Sequence, residues 1–359
     1  VRVLHLVPAL FDADDGIVGG AERFAYELAR HMAREVPTRL VAFGDRPRET
    51  GVDELAVRVI GNPWYVRGQR TNPIALSLLG ELRRADIVHC HQRFVLASSL
   101  AALFCRLTGR RVFVTDLGGG GWDLSAYFST DQWYHGHLHL SDFSRRGYGH
   151  AEKAFAHVIR AGVDADKFSP LPTPVRRDEV IFVGRLMPHK GIDVLIDALP
   201  ADQSLEIFGR QFEQRYLTDL QRMARCKRVT FHRQAEDSEV IAAYRRALCV
   251  VLPSVNRTMY GEVSHASELL GQTLIEGMAC GAPAICTAVG GMPEVVIDGA
   301  TGFVVPPSDA RALGERIRWL RENPDKATRM GAAGRQLVLD KFTWPRVVRR
   351  CLEIYGRAA

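Results

Sequence analysis

Glu268-Leu-Leu-Gly-Gln-Thr-Leu-Ile-Glu276-Gly-Met-Ala-Cys-Gly281-Ala-Pro-Ala-Ile-Cys286 reads as a loop, a helix and a strand in succession. Leu274, Ile275, Met278 and Ala279 share one stripe of a helix over 272–279, which Gly281 and Pro283 stop before the apolar strand Ala284 to Cys286. Thr273 is expected to cap this helix. The amides from about Gly271 through Gln272 and Thr273 to Leu274 then face whatever lies before it, where the macrodipole attracts an anion such as a diphosphate. The two carboxylates eight residues apart allow two readings. Either Glu268 and Glu276 flank a binding site, or Thr273 and Glu276 form a Thr-x-x-Glu capping box and Glu268 is a solvated loop charge.

The same alternation of short apolar runs with longer amphipathic ones extends along the chain, the pattern of an α/β protein. In the first half the strands are Val3–Val7, Thr38–Phe43, Val57–Ile60, Ile87–Cys90, Val112–Thr115, His137–Leu140 and Val158–Ile159. Ala21, Ala25 and Ala29 recur every four residues in a helix over 21–34, a small-residue stripe that lets it approach a sheet closely. After residue 178 the pattern restarts with strands Val180–Val183, Leu205–Phe208, Val229–His232, Val250–Leu252 and Ala284–Cys286. Helices are expected at about 190–199, 211–225, 236–246 and 272–279, and beyond Asp309 the chain is nearly all helix. Three prolines at alternate positions, Pro170, Pro172 and Pro174, mark an extended connector. The expected plan is a first Rossmann-like domain at 1–168, a Pro-rich hinge at 169–178, a second domain at 179–340, and a C-terminal helix at 341–359 free to pack back on the first.

The 359 residues are 47% hydrophobic and 25% charged, enough to bury two cores. The net charge of +6 is spread over both halves, so nucleic acid is not an expected partner, while anionic substrates suit it. No stretch reaches the ~20 apolar residues of a membrane span, and Val1 to Pro8 is too short for a secretory signal. Seven cysteines, an odd number without a Cys-x-x-Cys pair, read as buried thiols of a cytoplasmic protein. The basic pairs Arg110-Arg111, Arg145-Arg146 and Arg349-Arg350 leave peripheral contact with an anionic membrane face open. Nine of twelve histidines precede residue 171. Of these, His135, His137 and His139 alternate along one strand face, but no carboxylate stands at ligand spacing, so no metal site is expected.

The 268–276 segment resembles the Glu-x7-Glu signature of family 4 glycosyltransferases, retaining enzymes with two facing Rossmann-like domains and an interdomain cleft, the GT-B fold. Other elements follow in the family's order. Val183-Gly-Arg-Leu-Met-Pro-His-Lys-Gly191 is similar to its Gly-Arg-Leu-x-x-x-Lys-Gly element, and Leu252-Pro-Ser254 to the strand end before the first Glu. Gly290-Gly-Met-Pro-Glu-Val-Val296 and Asp298-Gly-x-x-Gly302 resemble its tail, and Ala161-Gly-Val-Asp164 with Phe168-x-Pro170 its interdomain signature. Gly19-Gly-Ala-Glu-Arg23 and Asp86-Ile-Val-His-Cys-His91 resemble its opening loop and early His motif.

The resemblance implies a nucleotide-sugar substrate, with UDP favoured over GDP, and a hydroxyl acceptor that is a sugar, a lipid-linked group or a small molecule. It implies that Arg185 and Lys190 hold the diphosphate, that Glu276 binds the ribose and that Glu268 meets the transferred sugar. His91 would reach the donor sugar and phosphate, and Gly19 and Gly20 would let backbone approach the donor. Departure of a diphosphate needs cations and oriented amides where its charge grows. Arg185, Lys190 and helix dipoles supply these, so neither a metal nor another cofactor is expected. Two segments depart from the family pattern: Asn256–Ser267, with Glu262 and His265, and the glycine run Gly118–Gly121 before Trp122 and Asp123, a sugar-stacking candidate. Arg233 stands in the nucleobase loop. The rivals are a sugar phosphorylase or nucleotide-sugar epimerase of the same fold, and a non-catalytic nucleotide-sugar or glycan-binding module. The absence of a strand-linked Gly-x-Gly-x-x-Gly and of a Gly-Lys-Ser/Thr loop argues against a dehydrogenase and a kinase.

Overall fold

Runs rich in Val, Ile, Leu and Phe form the sheets, and the computed structural model of the protein describes residues 1–11, 17, 19–118, 121–173, 177–264 and 268–357. The chain divides into two compact units: Val1–Gly162 with Trp344–Ala359, and Val163–Thr343.

In the first unit β1 (Val3–Ala9), β2 (Thr38–Gly44), β3 (Arg48–Val52) and β4 (Leu55–Gly61) are followed by a two-stranded ribbon, β5 (Trp64–Tyr65) and β6 (Pro73–Ile74). Then come β7 (Ile87–Cys90), β8 (Arg111–Val114), β9 (Gly136–His139) and β10 (Ala156–Val158), with helices α1 (Gly20–Ala33), α2 (Leu78–Arg83), α3 (Leu96–Leu107) and α4 (Asp142–Gly147). The main sheet runs β10-β9-β8-β7-β1-β2-β4-β3, parallel except for β3, which pairs antiparallel with β4. Sequence pattern misses β3 because Arg48-Glu-Thr-Gly-Val52 is an exposed edge with no apolar run.

The second unit holds β11 (Glu179–Val183), β12 (Ser204–Phe208), β13 (Arg228–His232), β14 (Ala247–Leu252), β15 (Ala284–Thr287) and β16 (Gly302–Val305), all parallel in the order β13-β12-β11-β14-β15-β16. Its helices are α5 (Ile192–Ala198), α6 (Gln214–Met223), α7 (Asp237–Arg246), α8 (Gln272–Ala279), α9 (Ala310–Glu322) and α10 (Pro324–Lys341). A last helix, α11 (Trp344–Arg357), belongs to the first unit, where the Trp344 ring stacks 5.8 Å from His31 and lies 5.6 Å from Phe24 of α1.

The boundary between units falls at Gly162–Val163, ahead of the hinge expected at 169–178. The stretch is anchored to the second unit instead of free. Phe168 is buried 6.3 Å from the Tyr244 ring, and the Arg177 guanidinium donates to the carbonyls of Ala247 and Cys280 at 3.2 and 2.9 Å. Pro174 to Arg176 lie outside the described residues. The cysteine expectation needs one correction: six thiols are buried, but Cys226 is exposed, in the polar turn between α6 and β13.

In an open parallel sheet the ligand crevice lies outside the strand C-termini where the strand order reverses. In the first sheet that point is between β1 and β7, and in the second between β11 and β14. Buried histidines cluster under the first edge. Burial holds His5 at about 3, and burial with neighbouring positive charge holds His137 at about 4 and His139 at about 3. The unfolded chain takes up protons on these rings below pH ~6.5 whereas the folded one does not, so stability falls as pH drops through that value. Each ring contributes up to ~1.4 kcal/mol per pH unit. The melting temperature should be level from pH 8 to 7 and decline steadily between pH 6.5 and 5. A flat profile down to pH 5 would mean that these rings protonate within the fold.

Candidate active site

At the second unit's switch point, both edge strands deliver charge. Past the end of β11, Arg185 is exposed with its guanidinium 5.5 Å from the Phe212 ring, and a short turn, Pro188–Lys190, carries the lysine. The Lys190 ammonium donates to Glu268 Oε1, which also accepts from Ser254 Oγ at 3.0 Å; Ser254 follows β14. Each side chain of the ion pair is only 13% exposed. Burial pushes the Glu268 carboxyl up, but Lys190 and the Ser254 hydroxyl outweigh it and leave it below the usual carboxylate range. Glu268 is therefore ionised and engaged, which excludes the reading as a solvated loop charge. Its backbone is fixed as well. The Gly291 amide donates to the Glu268 carbonyl at 2.8 Å, and Gly290, at φ +63°, lies where an added Cβ would stand 2.0 Å from that same oxygen.

The start of α8 corrects one expectation. Gly271, in the left-handed region at φ +91°, is the N-cap, and Thr273 is the second residue of the helix with no capping hydrogen bond. A Cβ on Gly271 would meet Leu274 Cδ1 at 2.9 Å, so this position combines a glycine-only conformation with close packing. With glycine as cap there is no Thr273–Glu276 capping box. Glu276 instead accepts from the Tyr244 hydroxyl at 3.1 Å and from Gln272 Nε2 at 3.4 Å. Amides in a first helical turn have no intrahelical acceptor, so Gln272, Thr273 and Leu274 stand at the positive end of the dipole, although Leu274 N also reaches the Gly271 carbonyl at 3.1 Å.

The first unit's edge is built differently. Gly19 caps α1 in an extended conformation, where an added Cβ would meet only the flexible end of Glu22 at 3.0 Å, and Gly20 is the first helical residue with open space at Cα, so neither position requires glycine among the described residues. His91 follows β7, is buried, and donates its amide to the Leu6 carbonyl at 2.9 Å. Its ring belongs to a relay. His5 Nε2 lies 3.3 Å from Met32 Sδ, and His5 Nδ1 lies 2.7 Å from His91 Nε2. A thioether only accepts, so His5 carries its proton on Nε2, His5 Nδ1 is a lone pair, and His91 Nε2 is the donor to it. His91 Nδ1 is then an acceptor, buried and without a hydrogen bond among the described residues. Burial first, and the neighbouring histidines second, keep His91 and His89 neutral. His89 is structural, as its place inside the strand suggests: it bonds the Thr115 and Tyr355 hydroxyls at 2.8 and 2.7 Å. A neutral Nδ1 acceptor suits a ligand hydroxyl and is unsuited to a phosphate oxygen.

Sequence reasoning missed a second polar group on this edge. Asp116, just past β8, is buried, and burial raises its carboxyl even though it accepts from the Tyr148 hydroxyl and, at 3.2 Å, from the Gly118 amide. Its position directly after an apolar strand run was the available signal. His137 meets a carboxylate after all: Asp131, His137 and His150 offer ligand atoms within 4.8 Å of one another, as do His5, His89 and His91. The Arg93 guanidinium already engages Asp131, so that carboxylate has a cation. His135 instead accepts from the Val112 amide at 3.1 Å. Asp123 is buried and caps the short turn at 124–126 through Ser125 N at 2.9 Å, and the Trp122 ring is covered by the Arg67 guanidinium at 4.3 Å. Thr258 to Glu262 form a tight turn pinned by Tyr260 to Asp219 at 2.8 Å, and Arg233 donates to Gln211 at 3.3 Å. Gly119, Gly120 and Ala266 with its neighbours His265 and Ser267 lie outside the described residues.

Two doubly wound units with these edges define a GT-B fold. The structure aligns with Anabaena HepE, solved in complex with UDP and glucose, at a TM-score of 0.75 and 19% identity over 99% of both chains. A family model described as Glycosyltransferase Family 4 matches residues 18–178, and one described as Glycosyl transferases group 1 matches 164–337. The chain belongs to glycosyltransferase family 4. Among curated relatives, a GDP-mannose-dependent α-(1-6)-phosphatidylinositol monomannoside mannosyltransferase of Mycolicibacterium smegmatis is 36% identical over 51% of each chain. An α-maltose-1-phosphate synthase of the same species is 26% identical over 79% of this chain and 82% of the relative. The chain spans about half the length of several curated relatives that it matches. No described helix is long and apolar enough to cross a membrane.

The relay fixes an observable. Long-range proton–nitrogen NMR spectra between pH 6 and 8 should show a pyrrole-type Nε2 and a pyridine-type Nδ1 for His91, with no titration. The opposite tautomer, or a titration near pH 6.5, would remove the acceptor assigned to His91.

Proposed function

We propose that this protein is a retaining glycosyltransferase that moves a hexose from a nucleoside-diphosphate donor, with UDP favoured over GDP, to a hydroxyl acceptor of a glycan, glycolipid or small metabolite. The observation that carries the reading is that Arg185 and Lys190 follow β11 while Glu268, bonded to Lys190, and the amide end of α8 follow β14, the two strands that flank the switch point of the second sheet. A planar fork, a point charge and a helix dipole together match a diphosphate. Glu276 lies one turn into the same helix, and its carboxylate can accept from two adjacent ribose hydroxyls. The sugar then meets Glu268.

In the transfer, the bond from the anomeric carbon to the β-phosphate oxygen breaks and a bond to the acceptor oxygen forms on the same face. The departing phosphate takes the acceptor proton, and the transition state is oxocarbenium-like. Arg185, Lys190 and the α8 amides stabilise the negative charge that grows on the leaving group, so the reading needs no divalent cation. On the first unit, the neutral acceptor His91 Nδ1 would bind a sugar hydroxyl. The seven free cysteines support a reducing, cytoplasmic location. A GDP-mannose donor is the second reading, supported by the printed specificity of the M. smegmatis mannosyltransferase, just as the UDP bound to HepE supports the first.

A thermal-shift panel of UDP, GDP, ADP and dTDP with their sugars separates these readings, because a ligand that binds only the folded state raises its melting temperature. UDP or UDP-sugars should give the largest shift, and a larger GDP shift selects the second reading. Glu276→Gln should weaken binding of the selected nucleotide by ~10-fold with the melting temperature of the free protein retained. Calorimetry giving the wild-type affinity for this variant would return Glu276 to its bonds with Tyr244 and Gln272. With a transferring pair in hand, an inverted anomeric configuration in the product would contradict same-face attack.

A further inference from the structure

On the first unit, away from the histidine relay, α2, α3 and β6 enclose a groove of about 300 Å³ whose lining is entirely apolar. Its rim is made of leucines that the fold leaves in solvent: Leu76 is 88% exposed and Leu107 78%, with Leu79 and Leu103 also exposed between them. Single exposed leucines are ordinary, but a contiguous set around an apolar groove marks a surface that meets another apolar phase. The floor is continuous with the core through Leu78 and Leu82, so the leucines are carried on elements anchored below.

Charge beside the groove is mostly positive: Arg83, Arg84, Arg106 and Arg110 lie on or next to α2 and α3, with two carboxylates, Glu81 and Asp86. Both carboxylates are already engaged, Glu81 by Arg39 at 3.0 Å and Arg84 at 3.5 Å, and Asp86 by Arg2 at 3.2 Å. Arg83 and Arg84 are exposed at the end of α2, and Arg106 is exposed in the last turn of α3. Arg110 lies across the end of the groove, donating to the carbonyls of Ala85 and Arg83 at 3.0 and 3.1 Å with its guanidinium 5.7 Å from the groove-lining Phe104 ring.

We propose that this face docks on an anionic lipid bilayer, with Leu76, Leu79, Leu103 and Leu107 entering the acyl boundary and Arg83, Arg84, Arg106 and Arg110 meeting the headgroups. Apolar insertion and headgroup charge are each weak alone, and peripheral binding of this kind needs both. A second copy of the chain is the less fitting occupant, because a two-fold contact would set this arginine rim against itself. The proposal rests on this surface alone and does not depend on the glycosyl-transfer reading, although a bilayer-bound acceptor would be presented to the same unit.

Co-sedimentation of the full chain with vesicles tests it. The protein should bind vesicles of phosphatidylcholine mixed with phosphatidylglycerol, bind phosphatidylcholine alone far more weakly, and dissociate as salt is raised. Leu76→Ser with Leu107→Ser, and separately Arg83→Ser with Arg84→Ser, should each lower binding by ~10-fold. All four side chains are exposed, so the melting temperature serves as the control for folding. Failure to bind anionic vesicles, or unchanged binding by the leucine variant, would overturn the proposal. So would a wild-type dimer that the leucine variant converts to monomer, which would assign the groove to a second copy.

Discussion

The ion pair between Lys190 and Glu268 is the constraint on which the rest of the second unit's edge depends. Two opposite charges, each 13% exposed, are held together where two strands diverge. Taking such charges out of water is costly, and removing one partner of a buried pair destabilises by about 3–5 kcal/mol because the other is left uncompensated. The fold secures the arrangement from several sides. Ser254 donates to the carboxylate, the Gly291 amide to its backbone carbonyl, and Gly290 leaves the space that a side chain would take from that carbonyl. Glu268 thus holds the lysine in place, and under the proposed function little reorganisation would remain when leaving-group charge develops.

Charge is segregated between the two units. The second presents Arg185, Lys190 and a helix N-terminus at its switch point, chemistry for an anion. The first presents neutral imidazoles at its own: Met32 sets the tautomer of His5, His5 sets that of His91, and burial keeps all three rings of the cluster uncharged. Asp116 on the same edge is shifted toward its neutral form by burial. Under the proposed function, one unit would meet phosphate and the other hydroxyl groups. Arg83, Arg84, Arg106 and Arg110 lie elsewhere, beside the leucine-rimmed groove.

Much of this was legible in the sequence because α/β periodicity is a local signal. Ile87–Cys90, α8 and α9 lie where the apolar pattern puts them, and Lys190 meets Glu268 because the two follow neighbouring strands, β11 and β14, that the pattern identifies. Signals that depend on tertiary context were lost. Thr273 looked like a cap by type and spacing, but Gly271 ends the preceding loop in a left-handed conformation and starts the helix earlier. The edge strand Arg48–Val52 has no buried face to create a pattern. The His5–His91 bond joins residues 86 apart, and the meeting of Asp131 with His137 and His150 depends on how loops cross the sheet edge. No spacing rule reports such contacts.

The most direct test is calorimetric titration of the full-length chain with UDP and GDP, comparing the wild type with Lys190→Met and with the double variant Lys190→Met/Glu268→Gln. The double variant leaves no buried unpaired charge, so it separates loss of the cation from loss of the fold. The wild type should bind at least one of the two diphosphates, and both variants should bind it at least ~10-fold more weakly, the cost of one charge-assisted contact. Wild-type affinity in a folded double variant, or no binding of either diphosphate by the wild type, would contradict the assignment of this edge as a diphosphate site.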